Sequence, residues 1–178
     1  MTHGSRQLLH LLICVLLIAL TDTATAQPAA PAPQLTATTY EDWIVRCESL
    51  HGPPPQTTCE MLQFTQLKGQ QGVLTQIAIG RPAKERAIKL VIRTPIGVWL
   101  PAGVKLVSDN EAVGILATFK RCAPAACFAD VDIKDDTING FRTTTQGKLK
   151  FKNANQEDVE VAVSFKGFGV AYDALMKK

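Results

Sequence analysis

Six short apolar segments rich in β-branched residues constrain this chain more than any other feature: Met61 to Leu67, Val73 to Ile79, Ile88 to Ile92, Gly103 to Val107, Val113 to Phe119 and Ala126 to Ile133. Each is cut off by turn formers, among them Gly69, Gly72, Gly80-Arg81-Pro82, Thr94-Pro95, Pro101 and Asp109-Asn110. None is long enough for a helix of ordinary length, and the spacing is that of short strands joined by tight connections. The pattern predicts an all-β protein, an antiparallel β-sandwich or, alternatively, a barrel-like closure.

Further along, Leu149 and Phe151 alternate with Lys148, Lys150 and Lys152, and Val159, Val161, Val163 and Phe165 alternate with Glu160, Ser164 and Lys166. Each run reads as a strand with one buried and one wet face. The polar stretch Asn153 to Asp158 between them suits a hairpin connection. Ala, Lys and Glu between Pro82 and Ala87 suit at most a helical turn. Two stretches read as helices. Asp135 or Asp136 is placed to cap a short one running to Arg142, and Phe168, Ala171, Tyr172 and Leu175 fall at i, i+3, i+4 and i+7 in a terminal one.

At the N-terminus, ten apolar residues from Leu11 to Leu20 follow Arg6 and run into Ala24-Thr25-Ala26. A bilayer-spanning helix needs about 20 apolar residues, whereas a shorter core ahead of small residues suits a cleaved secretory signal. The expected organisation is a signal peptide over 1–26, a flexible Pro/Ala/Thr-rich leader over 27–39 and a single all-β domain over 40–178. Processing removes one basic residue, Arg6, and one acidic residue, Asp22, so the formal net charge stays at +3. That excess is too small and too scattered to indicate nucleic acid, and no later run is apolar enough for a membrane span.

Processing also removes Cys14 and leaves Cys47, Cys59, Cys122 and Cys127. An even set in an exported chain reads as a disulfide framework with three possible pairings. The local ones, Cys47 with Cys59 and Cys122 with Cys127, are favoured, and the first would clamp the loop His51-Gly52-Pro53-Pro54-Pro55. Neither spacing is the C-x-x-C of a zinc site or a redox pair, and His51 is the one histidine of the processed chain.

Catalytic patterns are missing from the sequence. There is no G-x-S-x-G and no phosphate-binding P-loop, and Gly167-Phe168-Gly169 lacks the third glycine of a dinucleotide loop. Asp130, Asp132, Asp135 and Asp136 form the densest acidic cluster but do not match the calcium-loop register. No enzyme activity, cofactor or metal is expected. Two candidate contact features remain. Trp99, bracketed by Pro95 and Pro101, is either a core residue or an exposed aromatic anchor. Lys148, Lys150 and Lys152 are either a cationic contact stripe or the lysines that keep an edge strand soluble.

Trp43-x-x-x-Cys47, Cys59-Glu60-Met61-Leu62-Gln63, Thr94-Pro95-Ile96-Gly97-Val98-Trp99-Leu100-Pro101-Ala102-Gly103-Val104, Cys122 with Cys127, Ser164-Phe165-Lys166-Gly167-Phe168 and Ala171-Tyr172-Asp173-Ala174-Leu175 follow one another in a set order. In these features the chain resembles the invasion-associated locus B family, small exported proteins of Gram-negative bacteria. The resemblance covers Tyr40 to Leu175. One departure is Ala126, which stands before the last cysteine where the family usually has glycine, so a turn needing positive φ there must take another geometry. The resemblance implies an all-β periplasmic or surface-associated protein, linked in some pathogens to host-cell entry, and it transfers no catalytic residues. The reading is a noncatalytic exported binding module whose partner is an envelope or host-surface protein. The alternative is a periplasmic envelope-assembly or stress factor that holds other polypeptides.

Overall fold

The computed structural model describes residues 32–65, 74–82 and 87–178. The expected signal peptide, the first residues of the expected leader and most of the helical turn after Pro82 lie outside the described residues. Ten strands form one antiparallel sheet: β1 (Gln34–Tyr40), β2 (Trp43–Leu50), β3 (Gln56–Thr65), β4 (Thr75–Gly80), β5 (Lys89–Thr94), β6 (Val104–Ser108), β7 (Gly114–Ala123), β8 (Ala126–Asp132), β9 (Gln146–Lys152) and β10 (Asp158–Ser164). Helix α1 (Asp135–Arg142) precedes β9, and helix α2 (Phe168–Met176) follows β10. The six apolar segments therefore become β3 to β8, and the two alternating runs become β9 and β10.

Among the described residues the hydrogen-bonded order is β1-β2-β3-β4-β5-β8-β7-β6-β9-β10, open at both ends. Strand β7 is the corner. Its residues from Gly114 to Ala117 pair with β6, those from Thr118 to Ala123 pair with β8, and the register shifts between Phe119 and Arg121. A register irregularity of this kind bends a strand and sharpens its twist. The sheet folds back on itself there, so inward residues of β2 to β5 and of β6, β9 and β10 share one core, which includes Trp43, Met61, Ile79, Leu90, Ile92, Leu106 and Leu149. This is the two-layer arrangement the strand rhythm predicts.

Side chains close the layers where the backbone leaves them open. The Gln63 amide, on the inward face of β3, donates from Nε2 to the Ser164 carbonyl at 2.6 Å and accepts from the Ser164 N–H at 3.1 Å. A side-chain amide thus supplies the paired donor and acceptor of a peptide rung. Trp43 Nε1 donates to the same carbonyl at 3.0 Å. Buried polar groups need such partners, and here each meets one.

The leader is shorter than its composition suggests. Gln34 to Thr39 belong to β1, which pairs with β2 from Gln34↔Ser49 to Tyr40↔Trp43. Its side chains stay almost wholly exposed. An edge strand needs backbone hydrogen bonds rather than apolar burial, so low apolar content does not forbid it. The cap of α1 differs too. Lys134 is the N-cap and no side chain caps the helix, while Asp135 and Asp136 lie inside its first turn. There they act on the helix dipole rather than as caps.

Both disulfides join directly opposed residues, Cys47 with Cys59 at a Cα separation of 4.1 Å and Cys122 with Cys127 at 4.0 Å. The first does not clamp the base of its loop. Pairing continues outward through Glu48↔Thr58, Ser49↔Thr57 and Leu50↔Gln56, because the threonines extend the ladder. Ala126 enters β8 opposite Ala123. It is not among the positive-φ residues, which outside glycine are Glu41, Glu111 and Gln156 among those described. The tight turn therefore accommodates alanine. Replacing Cys47 and Cys59 together by serine is expected to lower stability by about 3 kcal/mol, and Cys122 with Cys127 by about 2 kcal/mol. Urea unfolding under oxidising conditions measures both.

Candidate binding surface

The connection from β5 to β6 must cross between layers, because β5 lies beside β8 while β6 lies between β7 and β9. That crossing is the Pro95 to Gly103 segment. It is tied at several points: Val98 bridges Asn153, and the Trp99 N–H donates to the Lys152 carbonyl at 2.8 Å. A 3-10 turn over Leu100–Ala102 follows, and the Gly103 N–H returns to the Leu100 carbonyl at 3.1 Å. Gly103 has φ +65, and a Cβ there would sit 2.6 Å from the Ala117 carbonyl oxygen. The loop is thereby fixed against the end of β9 and against β7.

What this loop presents is apolar. Ile96 is 58% exposed, Trp99 39% and Leu100 48%. Leu116, also exposed, reaches Gly103 from β7. Trp99 is thus an exposed residue rather than a core one. Sequence reasoning missed Ile96, Leu100 and Leu116; for the first two the one available signal was the pair of prolines, which stiffens the segment without saying which side faces solvent, and for Leu116 on β7 there was none.

The lysine stripe is placed differently from its expected role as an edge. Strand β9 is internal, flanked by β6 and β10, and β10 is the edge. Lys148 meets Glu160 at 3.1 Å, Lys150 meets Glu111 and Glu160, and Lys152 meets Asp158 at 2.8 Å. The Lys150 ammonium is held above its ordinary pKa by Glu111 and then by Glu160. Reciprocally, Lys148 and Lys150 hold the Glu160 carboxyl below the usual carboxylate value, and Lys152 does so for Asp158. The stripe is a solvent-facing ladder of ion pairs rather than a bare cationic patch. Trp99 is joined to its Lys152 end through the backbone, so the two candidate features are neighbours.

The acidic cluster is divided. Asp130 and Asp132 face Lys89 at 3.6 and 3.1 Å, while Asp135 and Asp136 belong to α1. Among the described residues no three His, Cys, Asp or Glu side chains are grouped to hold a metal ion. The outer face of β2 to β5 carries a groove of about 210 Å³ lined by Arg46, Glu48, Glu60, Ala78, Arg81 and Lys89. Arg46 and Glu60 are ion-paired across it. Among the described residues no helix is long and apolar enough to cross a membrane.

These features define a doubly disulfide-bridged, all-antiparallel β protein with a fixed, exposed aromatic loop. A family model described as invasion associated locus B protein matches residues 43–176. The chain belongs to that family. It is 28% identical over 138 residues, 77% of each chain, to an invasion protein B homolog of Brucella abortus strain 2308. The same figures hold for the homolog from Brucella abortus biovar 1 strain 9-941. The crystal structure of invasion associated protein B from Bartonella henselae superposes with a TM-score of 0.67 at 20% identity, covering 80% of this chain and 96% of that one. That likeness establishes the fold.

Proposed function

We propose that the protein is an exported, noncatalytic binding module of the bacterial envelope that contacts a protein partner through Ile96, Trp99 and Leu100. The observation that carries this reading is the exposure of three large apolar side chains on a loop already held by a backbone hydrogen bond to Lys152 of β9 and a bridge to Asn153. A preformed loop loses little conformational entropy on binding, and aromatic anchors account for a large share of interface energy. Export is supported by the two disulfides, which persist in oxidising compartments. The Brucella relatives are named invasion protein B homologs, which supports a partner met in host-cell invasion. No cofactor or metal enters the proposal, nor does nucleic acid, since the lysines of β9 are already neutralised.

Trp99→Ala is expected to weaken binding to envelope or host-membrane fractions about thirtyfold, the equivalent of about 2 kcal/mol. Lys148→Ala, Lys150→Ala and Lys152→Ala together are expected to change it less than about threefold, because exposed ion pairs contribute little. Equilibrium binding to immobilised membrane extracts, with thermal unfolding as a fold check, measures all of these. Full binding by a folded Trp99→Ala, Leu100→Ala variant would overturn the proposal. A partner recovered solely from the cell's own periplasm would instead indicate an envelope-assembly factor.

A further inference from the structure

The two open edges of the sheet are chemically unlike. At β10 the strand carries Asp158 and Glu160, and the backbone of Ser164 is taken by Gln63. At β1 the sequence Gln-Leu-Thr-Ala-Thr-Thr-Tyr has no charge, no proline and no register irregularity over seven residues, and Leu35 is 60% exposed. These are the devices by which proteins ordinarily blunt an edge, and β1 has none of them. Alternate N–H and C=O groups of β1 point away from β2, as the geometry of an antiparallel ladder requires.

The order of residues in β1 also fits its own copy. Around Ala37 the sequence Thr36-Ala37-Thr38 reads the same in both directions. An antiparallel pair with its two-fold axis at Ala37 sets Thr36 opposite Thr38 of the second copy, Leu35 opposite Thr39 and Gln34 opposite Tyr40. Glu41 and Asp42, in the turn that follows, fall opposite Pro33 and Ala32, so no two carboxylates face each other. Threonine pairs across strands are favourable, whereas like charges directly opposite are not. A two-fold contact needs such a self-complementary patch.

We propose that β1 is a homodimerisation edge, at which two copies pair antiparallel about Ala37 and join their sheets. Seven residues of edge bury less than a standard interface, so the dimer is weak and forms in the micromolar range or above. It uses no residue of the Trp99 loop, and its failure would leave the binding proposal intact.

The test is sedimentation equilibrium on the protein in the form the cell accumulates, from micromolar to millimolar concentration. A concentration-dependent monomer–dimer equilibrium is expected. Thr36→Lys with Thr38→Lys, and separately Thr36→Glu with Thr38→Glu, each set two like-charged pairs across the axis and are expected to weaken self-association at least tenfold. Mixing the two variants is expected to restore a dimer, now containing one copy of each. As a second readout, Ala37→Cys is expected to crosslink between copies under oxidation, since directly opposed Cα atoms lie about 4.5 to 5.5 Å apart. Gln34→Cys, far from its symmetry mate, is not. A wild-type protein monomeric at every concentration would overturn the proposal, as would a dimer insensitive to both double variants or the failure of mixing to restore association. Monomers whose β1 accepts a peptide from another protein would overturn it equally.

Discussion

Replacing Phe168 by alanine is expected to destabilise the protein by about 3 to 5 kcal/mol, the cost of removing a fully buried aromatic side chain from a core that cannot collapse around the gap. Phe168 is 0% exposed and starts α2 at the point where the chain leaves β10. Its ring lies edge-on to Trp43 at 5.2 Å between centroids and to Phe165 at 5.5 Å, and stacks with Tyr172 at 6.4 Å. Phe141 of α1 completes the cluster at 6.0 Å. One residue therefore links β2, both helices and the segment after β10. Domains of this size have a total stability of about 5 to 15 kcal/mol, so the loss is a large fraction of it. The urea midpoint should fall accordingly, with an unchanged slope. Phe64→Ala, on a side chain 39% exposed, is the control and should cost about 1 kcal/mol or less. A Phe168→Ala loss as small as that would show that the cluster does not hold the layers together.

For Gly167→Ala a loss of at least about 3 kcal/mol is expected, while Gly169→Ala, two residues on in the same Gly-Phe-Gly stretch, should be neutral or stabilising by up to about 1 kcal/mol. The opposite signs follow from position. Gly167 is the N-cap of α2 at φ +79, and an added Cβ would lie 2.2 Å from the Tyr40 carbonyl oxygen. Left-handed backbone costs an L-residue about 1 to 2 kcal/mol by itself. The clash is with backbone at the β1–β2 turn, which can withdraw only by breaking pairing. At Gly169 the nearest atom to an added Cβ is Arg142 Nη1 at 3.3 Å, the end of a flexible side chain. Alanine there gains helix propensity at little steric cost. Chemical denaturation of the two single variants decides the matter, and equal effects would refute the argument.

Arg142 itself fastens the helices. It pairs with Asp173 and lies 5.2 Å over the Tyr172 ring. The Asp173 carboxyl is held below the usual value by that hydrogen bond, and the Arg142 guanidinium is held above its own. Asp173 is exposed and Arg142 lies at the surface, where ion pairs contribute little, so the pair orients α2 more than it stabilises it.

Much of the fold was legible because the informative relations are local. Alternation in β9 and β10 told which side chains face inward, and all four residues of the i, i+3, i+4, i+7 set in α2 are buried. The disulfides could be paired from spacing because each joins neighbouring strands of one hairpin. Gln34 to Thr39 were misread because their composition says nothing of the β2 backbone beside them. One carboxylate partner of the β9 lysines was likewise invisible, since Glu111 lies 39 residues from Lys150 and reaches it only after folding.

The sequence by itself determined the strand periodicity, the amphipathic terminal helix and the family, and favoured the local crosslinks. Period two fixes which face each residue takes, and none of this depends on distant contacts. Tertiary structure alone decided that β5 pairs with β8 and β6 with β9, that the sheet bends at β7, that β1 and β10 are the edges and that Trp99 faces solvent. The reason is physical. Alternation specifies a face but not a neighbour, and the order of strands is settled by how all the inward faces together fill one core.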